Sequence, residues 1–257
     1  MTADDALLAG ADWPDLVRRV RSRTPARLLE GRSGAGYRTG TQIDLRGDHA
    51  AARDAVRAEL DMSRDFGTEF VGKWKLFEVS TQAASKEEYL LRPDLGRRLN
   101  ETSRAQVLAR CASGCDLQIM IGDGLSVTAV AKQVPPLLEA LVAGARDRGL
   151  KVGQVFVVRH CRVGVLNEIG ELLSTMVAVL LIGERPGLAT AESLSAYMAY
   201  QPCTVHTDAN RNLISNIHGR GVSTQEAVRR ILNLAGAMMR TGSSGFELRE
   251  ERTSLRD

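Results

Sequence analysis

The chain has 257 residues, of which 44% are apolar and 25% are charged, a composition typical of globular proteins. A formal net charge of +3 and an aromatic content of 4% argue against nucleic-acid binding, which uses basic fields and stacked rings. The longest apolar run, Met176 to Ile182, is too short to span a bilayer. We therefore expect a globular protein that binds neither nucleic acid nor membrane.

The cysteines and the start of the chain bear on its location. The opening "MTADDALLAGADW" has neither the basic start nor the long apolar stretch of a secretory signal. Four cysteines in a chain without such a signal indicate reduced thiols. We expect a cytoplasmic protein.

Residues 1–100 have a helical, arginine-rich pattern. The stretch "TQIDLRGDHAAARDAVRAEL" predicts a helix from about Gln42, after the glycine-rich break "GRSGAGYRTG". Ser85 and Glu88 form a capping-box pattern, which predicts the start of another helix. We expect residues 1–100 to form a helical N-terminal domain and residues 101–257 to form a second domain.

From residue 101 onward the pattern alternates between strands and helices. Apolar runs predict strands at 116–121, 154–160, 176–182 and 196–200. The pair Pro135 and Pro136 predicts a kink or a restart in the helical stretch after the first of these strands. The last helix is predicted to begin at the capping box of Ser223 and Glu226 and to end at Gly242. Unbroken apolar strands between helices predict an α/β fold with a parallel sheet covered on both faces.

Polar side chains follow three of the predicted strands. In strand order they are Asp123, Arg159, His160, Glu184 and Arg185. Because ligands of open α/β sheets bind outside the carboxyl ends of the strands, we expect these groups to converge on one crevice. The alternative is that these loops are polar because they meet water.

Two glycines, Gly183 and Gly187, flank the pair Glu184 and Arg185. Since glycine has no Cβ, they predict that the backbone approaches a flat ligand closely. This pattern predicts a crevice for a large polar ligand, and it supplies no complete catalytic constellation.

Three other motifs point weakly to different chemistry. "GAGYRTG" (Gly34–Gly40) is a near miss to a dinucleotide fingerprint, but its spacing is wrong and a helical pattern precedes it. Cys111 with Cys115, and Cys203 with His206, lack the tight paired spacing of zinc sites. No G-x-S-x-G elbow for a nucleophilic serine is present in the sequence. We assign no catalytic residue and no metal ligand.

Several long motifs occur together in one order. They are "TPARLLEGRSGAGYRTGTQ", "RPDLGRRL", "IGDGLS", "LLIGERPGLATAESLSAY" and "NLISNIHGRG". Over roughly residues 15 to 245, the chain resembles the small subunit of ethanolamine ammonia-lyase. The resemblance implies a helical N-terminal domain followed by a Rossmann-like C-terminal domain with a parallel sheet.

The resemblance also implies a function. In this family the small subunit binds adenosylcobalamin (coenzyme B12) jointly with a large catalytic subunit, and the complex converts ethanolamine to acetaldehyde and ammonia. The first alternative is a stand-alone cobalamin-binding or delivery module, and the second is a dinucleotide-dependent oxidoreductase. A bacterial microcompartment is the alternative location, although the segment before Trp13 is short for the docking helix of encapsulated relatives.

The family's cofactor contacts carry over onto three positions of this sequence. Val163 in "RVGV" resembles the apolar contact, and Glu184 in "GERPG" resembles the polar one. Leu213 in "RNLISNIH" stands where the family usually has a cysteine, so it keeps that contact only if the backbone makes it. The alternative for Glu184 is an ion pair with Arg185.

Overall fold

The computed structural model describes residues 15–23, 28–187 and 190–248, and the part before residue 77 is mainly helical. Its elements are α1 (Asp15–Arg23), β1 (Arg32–Ser33), β2 (Gly36–Tyr37), α2 (Thr39–Arg57), α3 (Met62–Phe66) and α4 (Thr68–Trp74). Helix α2 confirms the helix predicted from about Gln42. The glycine-rich break before it forms the hairpin β1–β2, in which Gly34 has a φ of 62°. A hairpin does not supply the strand–turn–helix of a dinucleotide site.

A six-stranded sheet with its covering helices makes up the rest of the described chain. The strands are β3 (Glu78–Ser80), β4 (Leu117–Gly122), β5 (Phe156–Arg159), β6 (Val177–Gly183), β7 (Leu194–Tyr200) and β8 (Asn212–Ile217). The helices are α5 (Lys86–Leu91), α6 (Glu101–Arg110), α7 (Val127–Asp147), α8 (Val165–Leu173) and α9 (Thr224–Thr241). Single 3-10 turns lie at Leu95–Arg97, Asp208–Asn210 and Gly245–Glu247. The α/β class is confirmed.

The sheet is mixed, with the strand order β3-β5-β4-β6-β7-β8. The first four strands in that order are parallel, whereas β7 is antiparallel to both β6 and β8. The prediction of a parallel sheet is therefore wrong for this end of the sheet. A parallel neighbour needs a crossover of about a dozen residues or more, usually a helix. The connection at 184–193 is shorter, and its described residues contain no helix.

Strand β3 lies within the first hundred residues and still belongs to the sheet. It pairs with β5 in parallel, with Glu78 opposite Val157 and Ser80 opposite Arg159. The sheet thus begins earlier in the chain than the apolar pattern predicts, because a strand of three residues is too short to show an alternation. The division at residue 100 and the Rossmann-like character of the second domain stay predictions.

Helices cover both faces of the sheet. Successive side chains of a strand point to opposite faces, so Ile119 and Ile121 of β4 pack with α7 and α9, while Met120 packs with α6 and α8. We call these the α7 face and the α8 face. Each strand residue from Leu117 to Gly122 is buried, which explains the unbroken apolar runs in the sequence.

Helix α7 is continuous through Pro135 and Pro136, so the helix does not restart there, and the kink stays a prediction. Both prolines lie toward the solvent side, whereas Val134 and Leu137 are fully buried in the core. The carbonyl groups that lose an intrahelical partner on the solvent side can bind water instead, while core packing holds the helix together. None of the helices in the described ranges is long and apolar enough to cross a membrane.

The predicted helix starts are confirmed at two caps. The Ser223 hydroxyl accepts a hydrogen bond from the backbone N–H of Glu226 (3.3 Å) at the start of α9, and Gly242 ends that helix with a φ of 66°. At the start of α5, the Ser85 hydroxyl accepts from the N–H of Glu88 (3.2 Å).

Candidate functional site

A cleft of about 450 Å³ opens at the carboxyl ends of β4, β5 and β6. We call it the strand-end cleft. Its lining includes Leu125 after β4, Val163 after β5, and both Glu184 and Arg185 after β6, together with Tyr197 of β7. Loops after three strands therefore meet at one site, as the sequence predicts.

The carboxylate of Glu184 is held by two serines of the returning chain. The Ser195 hydroxyl donates to Oε1, and the Ser193 hydroxyl donates to Oε2 at 3.2 Å. The backbone N–H of Glu184 also donates to the carbonyl of Ser193 (3.0 Å). Within the described residues no cation forms an ion pair with Glu184, so its alternative role as the partner of Arg185 finds no support. Each carboxylate oxygen keeps a lone pair that can accept a further hydrogen bond.

Val163 provides an apolar wall of the same cleft. It is half-buried and packs against the apolar cluster on the α8 face, at the start of the turn into α8. Its carbonyl accepts a hydrogen bond from the N–H of Leu166 (3.1 Å), which fixes the turn. Val163 and Glu184 thus come from different strand ends and line one cleft.

Leu213 lies beside the strand-end cleft and is not part of its lining. It is directly opposite Tyr197 in the antiparallel pair of β7 and β8, so both side chains lie on the α8 face. The side chain of Leu213 is 45% exposed. Leu213 therefore extends the apolar surface of the cleft by one strand.

Tyr197 is a cleft residue that the sequence argument missed. It is an aromatic side chain in an apolar strand, which usually marks core packing. Burial raises the pKa of its phenol, and the neighbouring carboxylates of Glu184 and Asp208 raise it further. Its hydroxyl therefore stays protonated and can donate a hydrogen bond near Glu184.

Asp123 binds the protein backbone instead of facing the cleft. Its side chain is 1% exposed, and its two oxygens accept from the N–H groups of His160 (2.9 Å) and Cys161 (2.8 Å). Lys86 Nζ lies 3.8 Å from its Oδ2. The prediction that Asp123 and His160 contribute to the crevice is wrong, because Asp123 ties the end of β4 to the end of β5.

A buried lysine and tyrosine from α5 support this strand-end turn. Lys86 Nζ donates to the carbonyl of Gly124 (3.0 Å) and lies 4.9 Å from the ring centre of Tyr89. Burial lowers the pKa of Lys86, and the Asp123 carboxylate opposes that shift. The Tyr89 hydroxyl donates to the carbonyl of Cys161 (3.1 Å). Nothing in the sequence distinguishes these two residues from the residues of an ordinary amphipathic helix.

Gly183 serves the packing of the protein itself. A Cβ at this position would collide with the backbone carbonyl of Ser126, and a Cβ on Gly124 would collide with the carbonyl of Gly183. The start of α7 occupies the space that a Cβ of Gly183 would need, which is a packing reason for glycine here. Gly183 also lines the strand-end cleft, and the close approach of a flat ligand to it stays a prediction. The N–H of Gly187 donates to the carbonyl of Thr190 (3.0 Å).

Arg159 also lies away from the strand-end cleft. Its guanidinium pairs with Glu59 (3.3 Å) and Glu78 (3.1 Å), and it donates to the carbonyl of Leu60 (2.8 Å). Arg159 thus joins the N-terminal helical part to the sheet. Its expected role in the crevice is wrong.

The cysteine pairs do not form a metal centre in the part of the chain that the structure describes, where no cluster of His, Cys, Asp or Glu could hold a metal ion. Cys111 and Cys115 are buried, and the Cys115 thiol lies 3.4 Å from the Thr175 hydroxyl. Both cysteines therefore act as small packing residues.

Residues 14–249 match the family model of the ethanolamine ammonia-lyase light chain. The chain belongs to this family. The ethanolamine ammonia-lyase small subunit of Clostridium perfringens is 41% identical over 230 residues, which cover 90% of this chain and 76% of the relative. The small subunit of Clostridium acetobutylicum is 39% identical over 233 residues, which cover 91% of this chain and 94% of the relative. The resemblance carried by the sequence motifs is confirmed, and the strand-end cleft is a feature of an ethanolamine ammonia-lyase small subunit.

Proposed function

We propose that this chain binds adenosylcobalamin jointly with the large subunit of ethanolamine ammonia-lyase, and that the complex converts ethanolamine to acetaldehyde and ammonia. One observation carries the proposal. Val163 and Glu184, the two positions identical to the family's cofactor contacts, line the same cleft although they follow different strands. Leu213 borders that cleft through Tyr197.

The chemistry of the cleft fits cobalamin. Cobalamin has apolar faces and a rim of carboxamides, which donate through N–H and accept through C=O. The cleft offers the Glu184 carboxylate as an acceptor, while Val163, Leu125 and Tyr197 offer apolar surface. A carboxylate held by two hydroxyl groups is an oriented acceptor for a carboxamide N–H.

The size of the cleft supports a cofactor site that this chain shares with a second subunit. Pockets that enclose a drug-sized ligand have volumes of roughly 300–1,000 Å³, and cobalamin is much larger than such a ligand. A cleft of about 450 Å³ accommodates one edge of it. A second protein surface is then needed to cover the rest, as a large subunit would.

In this function the residues of this chain hold and orient the cofactor. Adenosylcobalamin supplies the radical chemistry when it is bound. Glu184 would accept a hydrogen bond from the rim of the cofactor, and Val163 with Tyr197 would keep water from its apolar edge. The groups that bind and convert ethanolamine belong, on this proposal, to the large subunit.

Co-purification tests the proposal. A tagged copy of this chain is expressed with and without an ethanolamine ammonia-lyase large subunit, and each preparation is titrated with cobalamin by absorbance. We expect a stable complex that binds cobalamin, and much weaker binding by the chain alone. Equal, tight binding by the chain alone would favour the stand-alone cobalamin-binding or delivery module. Absence of binding by both preparations would overturn the proposal.

A further inference from the structure

A turn at the end of β5 brings Val163 to the strand-end cleft. Residues 160–164 connect β5 to α8, and Val163 lines the cleft. We call these residues the Val163 turn. His160, the first of them, has a φ of 53°, which is uncommon for a residue other than glycine. Such a conformation persists only where the surrounding structure fixes it, so the neighbours of the turn decide where Val163 lies.

One segment outside the sheet contacts the backbone of the Val163 turn. It comprises residues 81–96, which run from the end of β3 into the 3-10 turn before α6, and we call it the clamp segment. The Thr81 hydroxyl donates to the carbonyl of His160 (2.9 Å), and His160 Nδ1 donates to the carbonyl of Ala83 (3.0 Å). Asp123 accepts the backbone N–H groups of His160 and Cys161. The turn is therefore held between the end of β4 and the clamp segment.

Tyr89 of the clamp segment contacts the turn in three ways. Its hydroxyl donates to the carbonyl of Cys161 (3.1 Å), its carbonyl accepts from the Arg162 guanidinium (3.1 Å), and that guanidinium lies 4.3 Å from the centre of its ring. Burial raises the pKa of Tyr89, and Asp123 raises it further, so the hydroxyl stays protonated and can donate. Tyr89 thus fixes the two residues immediately before Val163.

Gly96, in the motif "RPDLGRRL", is the second contact of the clamp segment with Arg162. Its carbonyl accepts the backbone N–H of Arg162 (2.8 Å). A Cβ at position 96 would come within 2.6 Å of Arg162 Cγ and within 2.9 Å of the carbonyl oxygen of His160. The φ of Gly96 does not lie in the left-handed region, so the close approach requires glycine here and the backbone conformation does not. Gly96 is buried and does not line the strand-end cleft, so it can affect the cleft only through the turn.

We propose that Tyr89 and Gly96 are positioning residues for the cofactor, because they fix the Val163 turn and thereby hold Val163 against the apolar edge of cobalamin. This inference rests on the proposed function. Glu184 is held separately, by the hydroxyl groups of Ser193 and Ser195. Different parts of the chain therefore position the apolar contact and the polar contact. A change in the clamp segment should affect the contact of Val163 and leave that of Glu184 intact.

A double-mutant cycle on the complex of this chain with the large subunit tests this role. Gly96→Ala should raise the dissociation constant of cobalamin about tenfold, because the added methyl group displaces the Val163 turn. In the background of Val163→Ala the same substitution should raise it by less than about twofold, since the positioned contact is already lost. In the background of Glu184→Gln it should again raise it about tenfold. Equal rises in all three backgrounds would show a general effect on the fold, and that result, or no rise in any background, would overturn the inference.

Two further variants accompany Gly96→Ala. Tyr89→Phe keeps the buried ring and removes only the hydroxyl, so it replaces Gly96→Ala if that variant does not fold. It should raise the dissociation constant about threefold, with the same dependence on the background, and a rise independent of the background would contradict the role of Tyr89. Gly47→Ala is the matched control, because a Cβ at this exposed position of α2 would meet nothing within 4 Å. It should leave the constant unchanged in every background.

Amide hydrogen exchange of the unliganded chain tests the clamp segment without the cofactor. In Gly96→Ala and Tyr89→Phe, the N–H groups of residues 160–162 should exchange faster than in Gly47→Ala, because the hydrogen bonds that hold the turn are weakened. Unchanged exchange would show that the clamp segment does not fix the turn. If the unmodified complex does not bind cobalamin, the proposed function fails and this inference fails with it. The exchange measurement does not depend on cobalamin, so the two failures are distinguishable.

Discussion

The Ser195 hydroxyl donates a hydrogen bond to Oε1 of Glu184, so a residue of β7 orients the carboxylate that follows β6. The antiparallel return of the chain makes this possible, because Ser195 lies opposite Ile182 in the sheet, two residues before Glu184. A parallel strand in this position would begin at the other end of the sheet, so the residues next to the connection would lie far from Glu184.

Glu184→Gln should weaken cobalamin binding to the complex. The amide keeps the size of the side chain and loses the negative charge. A hydrogen bond to a charged group contributes roughly 1.5–3 kcal/mol, so affinity should fall by about one to two orders of magnitude. Absorbance titration of the reconstituted complex measures the change. Glu192→Gln on the same connecting loop is the control, since Glu192 pairs with Lys132 outside the strand-end cleft (2.7 Å). An unchanged dissociation constant in Glu184→Gln would remove Glu184 from the cofactor site.

The isolated chain should have no lyase activity. Its strand-end cleft presents one carboxylate (Glu184), two arginines (Arg162 and Arg185) and apolar walls. This set can bind a ligand and lacks a complete catalytic constellation. Acetaldehyde release from ethanolamine and adenosylcobalamin, followed with a coupled dehydrogenase, is the measurement. Activity should appear only when the large subunit is added, and release by the chain alone would contradict the division of roles.

Asp123→Asn should destabilise the fold by about 2–4 kcal/mol. One of its oxygens becomes an amide N–H₂, so a buried backbone N–H of His160 or Cys161 then faces a donor, and Lys86 loses its counter-charge. Urea unfolding followed by circular dichroism measures the loss. Asp147→Asn, at an exposed position at the end of α7, should change stability by no more than about 0.5 kcal/mol. Equal stability of the two variants would show that the Asp123 hydrogen bonds contribute little.

Alkaline pH should reduce stability. Burial raises the pKa of the Cys111 thiol to about 11, and burial together with Asp123 raises the pKa of Cys161 well above its usual value. An unfolded thiol ionises near about pH 8.5, so the unfolded state releases protons first and its population rises with pH. The stabilising contribution is complete below about pH 8.5 and decreases as pH rises toward the folded values, by at most about 1.4 kcal/mol per pH unit for each thiol.

The lowered pKa of Lys86 acts in the opposite direction, because the unfolded lysine keeps its proton to higher pH, and it offsets part of this loss of stability. The midpoint of urea unfolding, measured between about pH 8 and pH 10.5, gives the slope of folding stability against pH. Cys161→Ala should make that slope shallower, and an identical slope would show that Cys161 is not the source.

Cobalamin should bind with its own tail base still on the cobalt. Enzymes that replace this base with a protein histidine carry a D-x-H-x-x-G motif, and none of the four histidines in this chain has Asp two residues before it. Those preceding residues are Gly47, Val158, Thr204 and Asn216. Electron paramagnetic resonance of the Co(II) state, with nitrogen-15-labelled protein and unlabelled cofactor, decides the point. Hyperfine splitting from an axial nitrogen-15 would contradict the prediction.

The sequence predicts the buried strands and the cleft at their ends, because both depend on local pattern. Hydrophobic runs locate β4, β5 and β6, and the polar groups after them locate Glu184. It does not predict the direction of β7, because an apolar run looks the same in either direction. The sequence also does not distinguish Glu184 from Asp123. Glu184 lies near the surface and accepts hydrogen bonds from hydroxyl groups, whereas Asp123 is buried and accepts from the backbone N–H groups of His160 and Cys161. That distinction depends on contacts between segments far apart in the chain.

The hydrogen bonds from Ser193 and Ser195 also affect how a ligand meets the cleft. Because both hydroxyl groups come from this chain, the carboxylate of Glu184 is held in one orientation without a bound ligand. A preorganised acceptor loses little rotamer freedom on binding, which lowers the entropic cost of association. Removing the two hydroxyl groups would leave the charge in place and let the side chain sample several rotamers, so any ligand of Glu184 would have to order the side chain at the moment of binding.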